Sequence, residues 1–123
     1  HFVKTRDNIH EGRKKMTNNL LKIIEEMRKF DPQLEAQAIS VFFYVADKGG
    51  KDGVAQQAIS EALDIAQSSV SRNCYKLATI NRHRKIGIGL LENFEDPMER
   101  RRKLVRLTAK GRRVHNTLLE WVK

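Results

Sequence analysis

Two amphipathic segments, 54–63 and 67–79, are separated by only Asp64-Ile65-Ala66. With both helical, the chain must turn a sharp corner there, and the two helices cross steeply. Asp suits such a corner, because it is among the few non-glycine residues that tolerate the left-handed backbone conformation. In the first segment Ala58, Ile59, Ala62 and Leu63 face inward. At 100° per residue, the second places Val70, Cys74 and Leu77 on one side, packed under Ile59 and Ile65. Its other side carries Ser68, Ser69, Arg72, Tyr75 and Lys76, and Gln67 and Ser71 join the same polar set; no acid lies on the segment.

The rest of the chain supplies a frame for this corner. Residues 8–30 predict a helix on the spacing of Ile9, Met16, Leu20, Ile23, Ile24 and Met27, with Asn8 as cap and Glu11 three residues on. Phe30-Asp31-Pro32 stops it. Asp31 and Pro32 then open a second helix, to about Ala46, whose Leu34, Ile39, Val41, Phe42, Phe43 and Val45 predict deep burial. The glycine-rich stretch 47–53 is a turn. After Gly87 the pattern changes to two strands, 89–94 and 103–108, around a turn at 95–99, and a closing helix at 109–123 carries Val114, Leu118, Leu119 and Val122 on one side. The order predicts a mainly α domain with a small β-hairpin wing, a winged helix-turn-helix, spanning 1–123 as one unit.

Charge narrows the function. The chain has 24 Lys+Arg, 15 Asp+Glu and a formal net charge of +9. The excess sits in two windows: Arg72 to Lys85, which holds no acid, and Glu99 to Arg113, where Glu99 faces eight basic residues. Elsewhere the chain is slightly acidic. Such a footprint suits a polyanion, most often nucleic acid. The longest mostly apolar stretch, Ala38–Ala46, is far short of a membrane span, and the opening residues show no signal-peptide run. A single Cys fits a reducing, cytoplasmic setting.

Two segments resemble the MarR-type winged-helix transcriptional regulators. Ala58-Ile59-Ser60-Glu61-Ala62-Leu63-Asp64-Ile65-Ala66-Gln67-Ser68-Ser69-Val70-Ser71-Arg72 is similar to that family's helix-turn-helix. Residues 96–111, running from Asp96-Pro97 through Arg100-Arg101-Arg102 to Leu107-Thr108 and Gly111, are similar to its wing. The resemblance implies a double-stranded DNA partner, with Arg72 and its neighbours in the major groove and Arg100 or Arg101 in the adjacent minor groove. It also implies a homodimer joined through helices 8–30 and 109–123; the expectation is a bacterial regulator that represses by blocking polymerase rather than activates. The Ser69-Val70-Ser71-Arg72 stretch with an extended linker is also similar to phage-encoded regulators. The expected DNA-contacting set is Gln67, Ser68, Ser69, Ser71, Arg72, Tyr75, Lys76, Arg82, Arg84, Arg100, Arg101 and Arg102.

The sequence departs from the family's pattern in three ways. Ala78–Ile88 is longer than the usual link, and its basic residues either add phosphate contacts or lengthen the recognition helix. Ala66 replaces a Ser or Thr cap. The chain ends about 15 residues after the wing, which shortens the dimerisation helices. Other candidates carry less weight. Cys74 reads as a small core residue rather than a redox switch. Phe30, Phe42, Phe43 and Trp121 read as core rather than an effector pocket. His10, His83 and His115 read as surface groups with no metal-ligand spacing, and adjacent Glu25 and Glu26 point apart on a helix. No catalytic motif is present, so neither an enzyme nor a cofactor or metal is expected. A protein-binding winged helix and a non-specific nucleic-acid coater are the competing functions.

Overall fold

The computed structural model describes residues 2–80 and 83–122, with side chains from Ile9 onward. Among these residues there are five helices and a three-stranded antiparallel sheet. The first helix, α1, spans Phe2–Arg28 and so begins before Asn8. No Gly or Pro lies between Phe2 and Asn8 to stop it. Only Ile23 and Met27 of its apolar stripe are buried; Ile9, Met16, Leu20, Leu21 and Ile24 face outward.

The second helix, α2, spans Ala36–Lys48, four residues later than Pro32 suggests. Asp31 does not cap it. Its Oδ1 accepts the Gln33 N–H at 2.9 Å and its carbonyl accepts the Leu34 N–H at 3.0 Å, closing a separate turn. Buried Leu34 pins that turn to the core. From α2, Ala38, Val41, Phe42 and Val45 fill the centre of the domain.

A two-residue strand, β1 (Val54–Ala55), replaces the expected first turn of the next helix. It pairs through Val54↔Val105 and Ala55↔Leu104, a long-range partnership invisible to local periodicity. Helix α3 (Gln56–Leu63) ends at Asp64, which adopts φ 53 and ψ 50, the left-handed corner read from the sequence. Ser60 ties the corner: its carbonyl accepts the Ile65 N–H and its hydroxyl donates to the Ile65 carbonyl. Helix α4 spans Gln67–Lys76, ending before Thr79. The Leu77 carbonyl is taken by the N–H groups of Leu90 and Leu91 at 2.8 and 3.0 Å, which turns the chain out of the helix.

Strands β2 (Leu91–Asp96) and β3 (Glu99–Leu107) form the hairpin, in sheet order β1-β3-β2. The turn is shorter than expected and the Arg run lies inside β3, not before it. Asp96 accepts the Met98 N–H at 2.9 Å, and cross-strand pairs Arg102–Asp96, Lys103–Glu95 and Arg106–Glu92 extend the ladder to the tip. Helix α5 spans Ala109–Leu119 and gives way to turns at Glu120, Trp121 and Val122. Ile59, Val70, Cys74, Leu77, Leu90, Leu91, Val105 and Leu118 join the α2 residues in one core.

Candidate nucleic-acid interface

Helix α4 is held by its inner face. Val70 and Cys74 are fully buried, and burial pushes the Cys74 thiol up to about 12. Asn73 is also buried, a residue the polarity reading passes over. It lies three residues after Val70 and four before Leu77, and that spacing marks the inner face. Its Nδ2 donates to Gln37 Oε1 on α2 at 3.5 Å. From β2, Asn93 Nδ2 donates to the Cys74 carbonyl at 3.2 Å, and its Oδ1 accepts from Gln56 Nε2 at 3.4 Å. Asn93 thus joins the hairpin, the end of α4 and the start of α3.

The outer face of α4 exposes Gln67, Ser68, Arg72 and Tyr75. Ser69, Ser71 and Lys76 are half-buried at its flanks. Lys76 Nζ lies 3.4 Å from Asp31 Oδ2, so it serves an ion pair with the α1–α2 turn. The Gln33 N–H, aided by Lys76, holds the Asp31 carboxyl below the usual range. Ala66 provides no side-chain cap, and no acid stands in the first turn of α4. That end keeps its positive dipole uncompensated, a favourable setting for a phosphate.

The hairpin runs back along α4. Leu91 meets Leu77, Asn93 meets Cys74, and further along the hairpin Arg101, Arg102 and Lys103 come beside Gln67 at the start of the helix. There a groove of about 370 Å³ has Gln56, Gln57 and Gln67 on one side and Glu99, Arg101, Arg102 and Lys103 on the other. Of the expected residues, the groove brings together Gln67 of α4 and Arg101 and Arg102 of the wing. Arg100 and Arg101 are exposed with no partner among the described residues, whereas Arg102 is engaged by Asp96 at 3.2 Å. Arg106 stacks on Phe94 at 4.4 Å and pairs with Glu92, so it braces the wing.

The segment after α4 does not lengthen that helix. Ala78 bridges to Leu91 and Ile80 to Ile86, and Arg84 stands exposed with φ 60. Arg82 lies outside the described residues. Phe42 is fully buried, and Phe30, Phe43 and Trp121 pack partly buried against the core. His10 and His83 are exposed, but His115 is half-buried, because it lines the cleft between α5 and the 47–53 turn. Among the described residues, no group of three or more His, Cys, Asp or Glu could hold a metal, and no helix is long and apolar enough to cross a membrane.

Thr108 and Gly111 have a structural role that residue-type matching does not explain. Thr108 Oγ1 accepts the Gly111 N–H at 2.9 Å and donates to the Gly89 carbonyl at 2.6 Å. A Cβ at Gly111 would stand 2.2 Å from the Leu90 carbonyl oxygen. The pair locks the start of α5 to the root of the wing.

No protein-family model and no curated protein matches the sequence. Solved structures do. A mutant of MepR from S. aureus bound to an oligodeoxyribonucleotide superposes with TM-score 0.68 at 18% identity, over 92% of this chain and 74% of that one. A MarR-family transcriptional regulator from Rhodococcus sp. RHA1 gives 0.58 at 19%, over 98% and 70%. The PcaV transcriptional regulator from Streptomyces coelicolor, in complex with its natural ligand, gives 0.56 at 24% over 73% of this chain, which spans only 56% of that regulator's length. The chain has the winged helix fold of the MarR-family transcriptional regulators.

Proposed function

We propose that the chain is a sequence-specific, double-stranded DNA-binding transcriptional regulator of the bacterial cytoplasm, acting as a homodimeric repressor. One observation carries this reading: Gln67, at the start of the acid-free helix α4, and Arg101 and Arg102 of the wing line the same groove. Gln67, Ser68, Arg72 and Tyr75 are the base-reading candidates, with Ser69 and Ser71 toward phosphates and Lys76 held by Asp31. Arg100 and Arg101 suit a narrow minor groove, whose concentrated negative potential attracts Arg; Arg102 orients the wing through Asp96 and adds charge. The oligodeoxyribonucleotide bound to the MepR mutant supports the same use of this fold.

The exposed stripe of Ile9, Met16, Leu20, Leu21 and Ile24 on α1, with Leu119 and Val122 beyond the wing, supports burial against a second copy. Half-sites should then lie about one helical turn apart, roughly 34–36 Å. PcaV holds a natural ligand; in this chain a cleft of about 780 Å³, lined by residues including Val45, Lys51, Arg106, Arg112 and His115, has room for a small-molecule effector.

The test is selection from a random duplex library, followed by anisotropy at fixed salt on the selected and a scrambled duplex. A preference of ~10³ or more is expected. Arg72→Ala should cost ~1–3 kcal/mol and relax specificity at one or two base pairs; Arg101→Ala should lower the salt slope by about one. Wild-type affinity in both variants would overturn the docking. Equal affinity for the scrambled duplex would favour a non-specific coater.

A further inference from the structure

The excursion between α4 and β2, Ala78–Ile88, is longer than the link usual in the family that the sequence resembles. We infer that it is a second phosphate-gripping prong, set at the opposite end of α4 from the wing. The inference rests on the reading of the chain as a duplex-binding regulator.

The excursion is built as a stub. Both its ends meet Leu77, whose carbonyl accepts the Leu90 and Leu91 N–H groups. Further out, the Gly89 N–H donates to the Ala78 carbonyl at 3.1 Å and the Gly87 N–H to the Thr79 carbonyl at 2.7 Å. Ile80 and Ile86 then pair across it. Ile86 is 93% exposed, so the stub stands clear of the domain. Its outer part presents His83, Arg84 and Lys85, all exposed. Arg84 occupies the left-handed region at φ 60, where Gly or Asn is the less costly choice. A cationic side chain in that position points to a use for the charge.

Position and sign identify the partner. No acid occurs in sequence between Asp64 and Glu92, and Asp31, near the root of the stub, is already matched by Lys76. A ten-residue helix is about 15 Å long, and the major groove is about 12 Å wide. With the wing beside Gln67 and the stub rooted at Leu77, cationic groups stand at both ends of α4 and can meet phosphates on both walls of that groove. A protein partner would call for an apolar centre depleted of charge; here Ile80 and Ile86 are exposed, but Arg84 and Lys85 stand beside them and no acid accompanies them in sequence.

The experiment compares wild type, Arg84→Ala/Lys85→Ala and Arg84→Glu/Lys85→Glu on a selected and a scrambled duplex between 50 and 200 mM salt. Circular dichroism checks that these exposed changes leave the fold intact. Loss of two phosphate contacts should lower the salt slope by about 1.8, so wild type loses ~12-fold more affinity than the alanine variant over that range. Both duplexes should be affected alike, leaving the preference between them unchanged, and the glutamate variant should bind more weakly still. Wild-type slopes in both variants would overturn the prong alone, including the case in which the stub docks a protein. A wild-type chain that binds no duplex would overturn the regulator reading together with it.

Discussion

Gly111→Ala should destabilise the protein although Gly111 lies inside α5, where the helix scale favours Ala. In an open helical position this exchange stabilises by roughly 0.5–1 kcal/mol. Gly111 is not open. Its added Cβ would meet the Leu90 oxygen at 2.2 Å, the Leu90 carbonyl carbon at 3.1 Å and Leu107 Cβ at 3.4 Å. Restoring an ordinary contact requires about 1 Å of separation between α5 and the wing root. Leu90 cannot retreat freely, because its oxygen accepts the Thr108 N–H at 3.1 Å and its own N–H is bound to Leu77. Overpacking of this kind costs ~1–3 kcal/mol, and a strained backbone hydrogen bond adds about 1. The net expectation is a loss of ~1–3 kcal/mol, opposite in sign to propensity. Gly12→Ala in α1 is the matched control, since a Cβ there has nothing within 4 Å; it should gain ~0.5–1 kcal/mol. Urea unfolding of both variants, at one protomer concentration because association feeds into stability, measures the difference. With m near 1–3 kcal/mol/M, the Gly111→Ala midpoint should fall by on the order of 1 M. A midpoint at or above wild type would refute the wedge between α5 and the wing.

Asn93→Ala should leave the Cys74 carbonyl and Gln56 amide without their partner, costing ~1–3 kcal/mol in urea unfolding. On the selected duplex it should weaken binding with an unchanged salt slope, because it misplaces α4 without removing charge; a shallower slope would contradict that role. The Cys74 thiol, pushed up to about 12 by burial, should resist a disulfide reagent at pH 8 until urea unfolds the chain; fast stoichiometric reaction in native buffer would be incompatible with its place in the core. Asp96 is held below 3.8 by the Met98 N–H and, after it, by Arg102. Its contribution to the wing turn is therefore complete above 3.8 and disappears as pH falls through the lower folded value. The Met98 amide resonance should report that step below 3.8 and lose it in Asp96→Asn; a midpoint above 3.8 would reverse the sign. For the proposed homodimer, Leu20→Asp on the exposed stripe of α1 should halve the mass seen by light scattering while circular dichroism stays unchanged; an unchanged mass would overturn association through α1.

What could be read in advance was whatever local pattern controls. The corner at Asp64 followed from residue type and from two periodic segments on either side, and Asp64 adopts the left-handed backbone. The outward placement of Arg72 followed from 100° per residue. Local pattern failed where a distant partner decides. Val54 and Ala55 look like the start of a helix, yet β3 claims them as a strand. Leu77–Thr79 continue the helical spacing, yet two N–H groups from beyond the excursion capture Leu77. Arg100 to Arg102 lack the alternation that marks a strand, but carboxylates at Glu95 and Asp96 across the hairpin pair with Lys103 and Arg102, and the strand runs out to the tip.

The same distinction separates the two kinds of residue in the candidate interface. Arg72, Arg100 and Arg101 are conspicuous because nothing in the fold requires their charge, and each is exposed without a partner among the described residues. Asn73, Asn93, Thr108 and Gly111 are inconspicuous because their partners are Gln37, the Cys74 carbonyl, the Gly89 carbonyl and the Leu90 carbonyl, all remote in sequence or on the main chain. A sequence reading finds the groups that reach outward and misses those that aim them. Yet aim decides whether α4 and the wing address one duplex together, since displacement of either by an ångström separates Gln67 from Arg101 across their shared groove. Substitutions at the aiming residues should therefore alter sequence preference with little change in charge dependence, whereas substitutions at Arg100 and Arg101 should change the charge dependence directly.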